Sequence, residues 1–92
     1  GDTRLANHKS ALKRIRQSEK RRVRNKQIRT GMRTEIKQFN QAIEAGDAAL
    51  AGERLPKVES AIRRAATKGV IRREHADRRV SRLAKSLNGL SA

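Results

Sequence analysis

The 92 residues carry 24 Lys or Arg against nine Asp or Glu, a net charge of +15, and only 35% of them are hydrophobic. A chain this short forms one small domain with a modest core, because its surface is large relative to its volume. The absence of cysteine excludes a disulfide framework, and no apolar run approaches the ~20 residues that a membrane span requires.

Charge is distributed unevenly along the chain. Residues 1–33 carry twelve basic and two acidic residues, a net +10, whereas residues 34–61 carry −2 and residues 62–92 carry +7. This basic–neutral–basic order indicates two contact surfaces separated by a packed middle, and it differs from the uniform charge of a disordered tail. Phosphate is the anion that occurs in dense linear arrays, so the pattern favours nucleic acid as the partner.

The first predicted element is a long helix over residues 9–45, preceded by a flexible extension at residues 1–8 and ended by a C-cap at Gly46. Its C-terminal half carries apolar side chains at steps of three or four, which predicts a buried stripe of Ile28, Met32, Ile36, Phe39 and Ile43. Its N-terminal half carries Ala11, Leu12, Ile15 and Val23, which face a direction roughly 100° or more away. The basic half should therefore project beyond the packed domain.

The second predicted helix covers residues 48–67, with Asp47 as its N-cap and a stop at Lys68-Gly69. Its apolar stripe consists of Leu55, Val58, Ile62 and Ala65. Pro56 removes one backbone donor and crowds the carbonyl of Gly52, so we expect either a kink or a helix that restarts at Pro56.

The third predicted helix covers residues 74–87 and ends at Asn88-Gly89, with Ala76, Val80, Leu83 and Leu87 facing inward. No segment shows sustained period-two alternation, so no strand is predicted. The expected architecture is a single all-α domain over residues 1–92, a three-helix bundle with a long, protruding basic N-terminal helix.

Residues capable of catalysis or metal binding are sparse. His8 and His75 are far apart in sequence, and Glu74 and Asp77 beside His75 do not form a regular ligand set. We therefore expect no enzymatic activity, no catalytic residue, no metal and no cofactor. Aromatic residues amount to 1%, which disfavours a base-stacking platform. Folded, charge-dense RNA fits best, because its junctions bring several phosphate backbones together.

Two blocks of residues resemble a known family. The first runs from Ala6-Asn7-His8-Lys9-Ser10 through Gln17-Ser18-Glu19-Lys20-Arg21-Arg22 to Arg29-Thr30, and the second is Ala65-Ala66-Thr67-Lys68-Gly69-Val70-Ile71 with Arg78-Arg79 and Ser81-Arg82-Leu83. Together they resemble the bacterial small-subunit ribosomal protein twenty family. Where that family usually has His-Lys-Asn after Gly-Val-Ile, this chain has Arg72-Arg73-Glu74.

The resemblance implies a three-helix protein without enzymatic role that binds and stabilises folded small-subunit ribosomal RNA during assembly. It implies a cytoplasmic ribosome, bacterial rather than organellar, with other ribosomal components nearby, no membrane contact and no homo-oligomer. The charge pattern and the resemblance together nominate the following residues for RNA binding: His8, Lys9, Ser10, Lys13, Arg14, Arg16, Gln17, Lys20, Arg21, Arg22, Arg24, Asn25, Lys26, Arg29, Arg33, Lys68, Arg72, Arg73, Arg78, Arg79 and Arg82.

Two other readings of the basic helix stay open at this point. One is a general nucleic-acid-condensing architectural protein, which would bind any duplex in a salt-labile manner. The other is a membrane-active amphipathic helix, which would need a wide apolar face with bulky anchors. The N-terminal half of the first helix has neither of these features.

Overall fold

The computed structural model describes the backbone of residues 2–91 and the side chains of residues 8–90. Three helices follow one another: α1 (Asp2–Glu44), α2 (Ala48–Thr67) and α3 (Arg73–Ser91). No strand occurs within the described backbone, so the all-α prediction is confirmed. The molecule is a rod with principal extents of 72 × 21 × 14 Å, because one helix is about twice as long as the other two.

The helix bounds differ from the prediction at two places. Helix α1 begins at Asp2, before the predicted start at residue 9, and the flexibility predicted for residues 1–8 falls largely outside the described side chains and stays a prediction. Helix α3 continues to Ser91 and does not end at residue 87. Gly89 lacks the positive φ of a C-cap, and continuing the helix keeps Leu90 partly buried.

Both connections between helices are closed by a glycine in the left-handed region. Gly46 (φ 72°) follows α1, and Gly69 (φ 74°) follows α2. At the first connection the amide of Gly46 donates to the carbonyl of Ile43, and that of Asp47 to Ala42, both at 3.0 Å. This is the Schellman pattern, which satisfies the last carbonyls of a helix.

The Asp47 carboxylate then caps the next helix by accepting from the amide of Leu50 at 3.0 Å, as predicted. Helix α2 runs through Pro56 without interruption, so the alternative of a restart there is wrong. The one backbone bond that proline removes is tolerated, because the flanking turns of α2 are held by packing on both sides.

The core forms one cluster in which Phe39, Val58 and Ile62 are the largest fully buried side chains. Met32 is also buried, and Ile28, Ile36 and Ile43 pack against the cluster, so the predicted stripe of α1 is confirmed. Helix α2 packs against both other helices, whereas α1 and α3 touch only briefly. The fold is therefore an antiparallel three-helix array with α2 in the centre.

The N-terminal part of α1 lies outside this array. Every side chain from His8 to Arg24 is exposed, and we call residues 8–24 the projecting segment. Its apolar side chains Leu12, Ile15 and Val23 are 42%, 53% and 58% exposed. The prediction that the two halves of α1 do not share a neighbour is thus confirmed.

Phe39→Ala should destabilise the bundle, because Phe39 is 0% exposed at the centre of the core. Core Phe→Ala changes cost about 3–5 kcal/mol, a large share of the stability of so small a domain. Thermal unfolding followed by circular dichroism measures the effect. Ile15→Ala, on the exposed side of the same helix, is the control, and an unchanged melting temperature for Phe39→Ala would show that this phenylalanine is not part of the core.

Gly69→Ala should lower the free energy of unfolding by about 1–2 kcal/mol, because a Cβ atom is unfavourable at positive φ. Gly31→Ala should instead raise it by about 0.5–1 kcal/mol, because Gly31 lies within a helix. An added Cβ would meet no atom within 4 Å at either site, so the pair isolates the backbone effect. Chemical denaturation measures both, and shifts of equal sign would contradict the assignment of Gly69 as the turn residue.

The projecting segment of the free protein should exchange its amide hydrogens rapidly at low salt, while residues 28–87 are protected. Like charges at i,i+4 each cost about 0.2–0.5 kcal/mol, and no tertiary packing offsets them there. At about 1 M salt the Debye length falls to ~3 Å, so helicity in the segment should rise. Slow exchange at Lys13–Arg22 at low salt would contradict this prediction.

Candidate nucleic-acid interface

The projecting segment presents cations in nearly every direction around its axis. It contains eight basic residues and one acidic residue, Glu19. At about 100° per residue one track consists of Lys9, Lys13, Arg16, Lys20 and Arg24. Arg14 and Arg21 lie on another side of the helix, and Arg22 on a third. A flat surface could meet only one of these sets at a time.

The basic groups of this segment are not neutralised within the chain. None of them forms a hydrogen bond or an ion pair with another described residue. By contrast, within the bundle the guanidinium of Arg54 donates through Nη1 to Oε1 of Gln38 and ties α2 to α1. The cations of the projecting segment are therefore available to an external anion without breaking an internal contact.

The connection between α2 and α3 lies at the end of the bundle from which the segment projects. Helix α2 runs antiparallel to α1, since Arg54 contacts Gln38 while Arg64 lines a groove with Arg24. The predicted residues Lys68, Arg72 and Arg73 are exposed at this end. The antiparallel course of α2 thus puts this connection toward the end of the bundle from which the segment projects, although the two are far apart in sequence.

A second basic surface follows α3. Arg78 and Arg82 are exposed and one helical turn apart, and they line a groove with His75 and Asn40 between α3 and α1. Arg79 lines a neighbouring groove together with Arg33. The predicted candidates in the second half of the chain therefore divide between the α2–α3 connection and the grooves between α1 and α3.

Three basic residues that sequence reasoning omitted adjoin these surfaces. Lys37 lines the groove that holds Arg33 and Arg79, Arg63 lines a groove with Arg73, and Arg64 lines one with Arg24. The available signal was the net +7 of residues 62–92, which includes two of the three. Of the residues that were predicted, all are exposed except Asn25, which is partly buried.

Other kinds of site find little support. Within the described residues, no three His, Asp or Glu side chains come together as a metal site would require. In that same part of the chain, no helix combines the length and apolar character of a membrane span. Asn25 Oδ1 and Glu35 Oε2 are buried acceptors without a hydrogen-bond donor among the described residues, and Glu35 lines the α1–α2 groove together with Arg24 and Arg64.

Comparison with known proteins agrees with the residue blocks noted in the sequence. The family model described as Ribosomal protein S20 matches residues 6–88. Small ribosomal subunit protein bS20 of Geobacter metallireducens is 52% identical, covering 94% of this chain and 99% of the relative. The protein of that name from Geotalea daltonii is 53% identical over 95% and 100%, and that from Halalkalibacterium halodurans 46% over 95% and 96%. The chain therefore belongs to the ribosomal protein S20 family.

Proposed function

We propose that this chain is a structural constituent of the small ribosomal subunit, which binds and stabilises folded small-subunit ribosomal RNA during assembly. The observation that carries the proposal is the projecting segment, a helix with exposed cations on several sides that form no ion pair with the described residues. Membership of the ribosomal protein S20 family supports it. The role is one of binding, without catalysis or a cofactor.

Positive charge around the whole helix favours insertion between phosphate backbones over docking on one surface. Each neutralised phosphate releases condensed counterions, which supplies a large part of the binding free energy. Folded RNA brings several backbones within reach of one rod, whereas an isolated straight duplex presents one curved surface. This difference favours ribosomal RNA over the general condensation of nucleic acid.

The bundle supplies the second contact surface of the proposed complex. Lys68, Arg72 and Arg73, exposed around the connection between α2 and α3, would bind backbone at the end of the bundle from which the segment projects. Arg78, Arg79 and Arg82 would bind along α3. The neutral middle of the chain, residues 34–61, would keep the three helices packed while both basic surfaces are occupied.

The proposed partners and setting follow from that role. The ribosomal RNA is the principal partner, other ribosomal components are neighbours by proximity, and the setting is the ribosome of a bacterial cytoplasm. The chain would act as a single copy, because pairing two rods of this charge is electrostatically unfavourable.

Binding to small-subunit ribosomal RNA should be stoichiometric and should persist at salt concentrations that release the protein from duplex DNA. Folded RNA engages more phosphates at once and adds shape-dependent contacts, whereas a duplex provides only the sequence-independent electrostatic term. Filter binding across a salt series measures both. Equal affinity and equal salt sensitivity on the two nucleic acids would favour the general condensing protein instead.

Neutralising either of two faces of the projecting segment should weaken RNA binding to a similar extent. The variants are Lys13→Gln, Arg16→Gln and Lys20→Gln combined, and Arg14→Gln, Arg21→Gln and Arg22→Gln combined. Each lost phosphate contact reduces the slope of log affinity against log salt by roughly 0.7–0.9. Gln preserves helix propensity, so both triples remove the same charge from the same helix.

The two triples serve as controls for each other, since they differ only in the direction they face. Similar flattening of the salt dependence in both supports a rod held between several backbones. One damaging triple and one silent triple would mean that the rod lies on a single RNA surface, and that result would overturn the inserted-rod arrangement.

A further inference from the structure

The projecting segment carries an apolar stripe made of Leu12, Ile15 and Val23. These side chains are 42%, 53% and 58% exposed, and they point away from the core face of the same helix. They follow one side of α1 over about 16 Å, at 1.5 Å per residue. Three branched aliphatic side chains on one side of an otherwise highly charged helix make this side a candidate contact surface, which the surrounding charges must decide.

Basic side chains flank the stripe on both sides. At about 100° per residue, Arg16 and Lys20 lie on one side of its axis and Arg22 on the other. Both flanks are exposed, and none of their basic groups forms an ion pair with another described residue. A partner complementary to this face therefore has a weakly charged surface in the middle and negative charge along both of its sides.

The minor groove of double-stranded RNA has that arrangement. It is wide and shallow and displays sugars, 2′-hydroxyls and base edges between the phosphates of the two strands, whereas the major groove is too deep and narrow for side chains to read. One face of a helix about 10–12 Å across can lie against such a floor. We propose that the stripe docks in the minor groove of an RNA duplex while its flanking cations bind the phosphates of both strands.

Glu19 supports this choice of occupant. It is the only acidic residue of the projecting segment, and it lies on the stripe, one turn from Ile15 and one turn from Val23. A carboxylate directed at a phosphate backbone is repelled. In a minor groove it would meet hydrogen-bond donors, namely the 2′-hydroxyl of the sugar and the amino group of guanine.

Two other occupants agree less well with the same observations. A second copy of the chain would bring the cationic flanks of two rods together, and three side chains offer far less than the ~1,200 Å² buried in stable protein interfaces. A lipid surface requires a broad apolar face without a central acid. An RNA groove alone matches both the narrow stripe and the charges beside it.

The absence of cysteine allows a hydroxyl-radical probe to be attached at one chosen position. The test uses Ile15→Cys, with Gln17→Cys on a different side of the same helix as the matched control. Each labelled full-length protein is bound to small-subunit ribosomal RNA, and strand cleavage is mapped. We expect the probe at position 15 to cleave sugars on both strands of one duplex, at positions that face each other across a minor groove.

The probe at position 17 should cleave a different set of sugars. Identical patterns from the two probes, or no cleavage from position 15 while the labelled protein remains bound, would overturn the proposal. The absence of cleavage from position 15 would mean that the stripe faces solvent or another part of the protein and not RNA.

Affinity provides an independent measurement. Leu12→Gln, Ile15→Gln and Val23→Gln combined should weaken RNA binding about tenfold or more, because apolar contact with the groove is lost. The salt slope should not change, since no cation is removed. Leu50→Gln, at an exposed apolar position of α2 (37% exposed), is the control, and thermal unfolding verifies that the bundle is intact in each variant.

The inference rests on the proposed RNA-binding function, and the experiments separate the two. Failure of the unsubstituted protein to bind the RNA would refute the function itself. Normal binding by the unsubstituted protein together with unchanged affinity of the apolar triple would refute only the groove contact. A change in the salt slope of the apolar triple would also count against it, because it would indicate a displaced rod.

Discussion

Repulsion among uncompensated cations in the projecting segment is the constraint on which the rest of the molecule depends. In a solvated helix the like-charge i,i+4 pairs Lys9–Lys13, Arg16–Lys20 and Lys20–Arg24 are unfavourable, and short isolated helices are marginal even without that cost. The segment continues directly into the packed half of α1, so the bundle supplies the helical nucleus and direction. A bound polyanion would then reduce the repulsion among these cations. The stability of the helix in this segment would therefore rise when the polyanion binds.

The bundle anchors the C-terminal half of α1 with two short helices and two short connections. Helix α2 occupies the centre, and its small Ala51 and Ala65 are 0% exposed, which allows the neighbouring backbones to approach closely. Glycine turns at Gly46 and Gly69 reverse the chain within a few residues. The second turn lies toward the end of the bundle from which the segment projects and exposes Lys68 and its basic neighbours there, so one short connection both closes the core and presents further cations.

Local signals predicted most of this fold from the sequence. The apolar spacing from Ile28 to Ile43 identified the buried face of α1, and the glycines after α1 and α2 identified the turns, because each depends on neighbours within a few residues. The end of α3 was predicted wrongly at Asn88-Gly89. A glycine ends a helix only where a turn there is more favourable than another helical residue, and at Gly89 continuing the helix keeps Leu90 partly buried. The positions of Lys37 and Arg64 beside the grooves depend on how helices pack, which periodicity within one helix does not encode.

The apolar side chains of α1 face one side of the helix in its C-terminal half and another side in its N-terminal half. The packing that stabilises the bundle is thereby separated from the proposed contact with RNA. Phe39 and Ile15 lie on different faces and about 36 Å apart along the axis, at 1.5 Å per residue, so changes at the two sites should act almost independently. Loss of the core would loosen the bundle and affect the proposed RNA binding only through that loosening, whereas loss of the exposed stripe would weaken the proposed RNA contact without altering the fold. A straight helix with one continuous apolar face would have to use the same side for the bundle core and for an RNA groove. It could not contact both at once. The change of face is therefore what would allow a single helix to belong both to the protein core and to the proposed RNA complex.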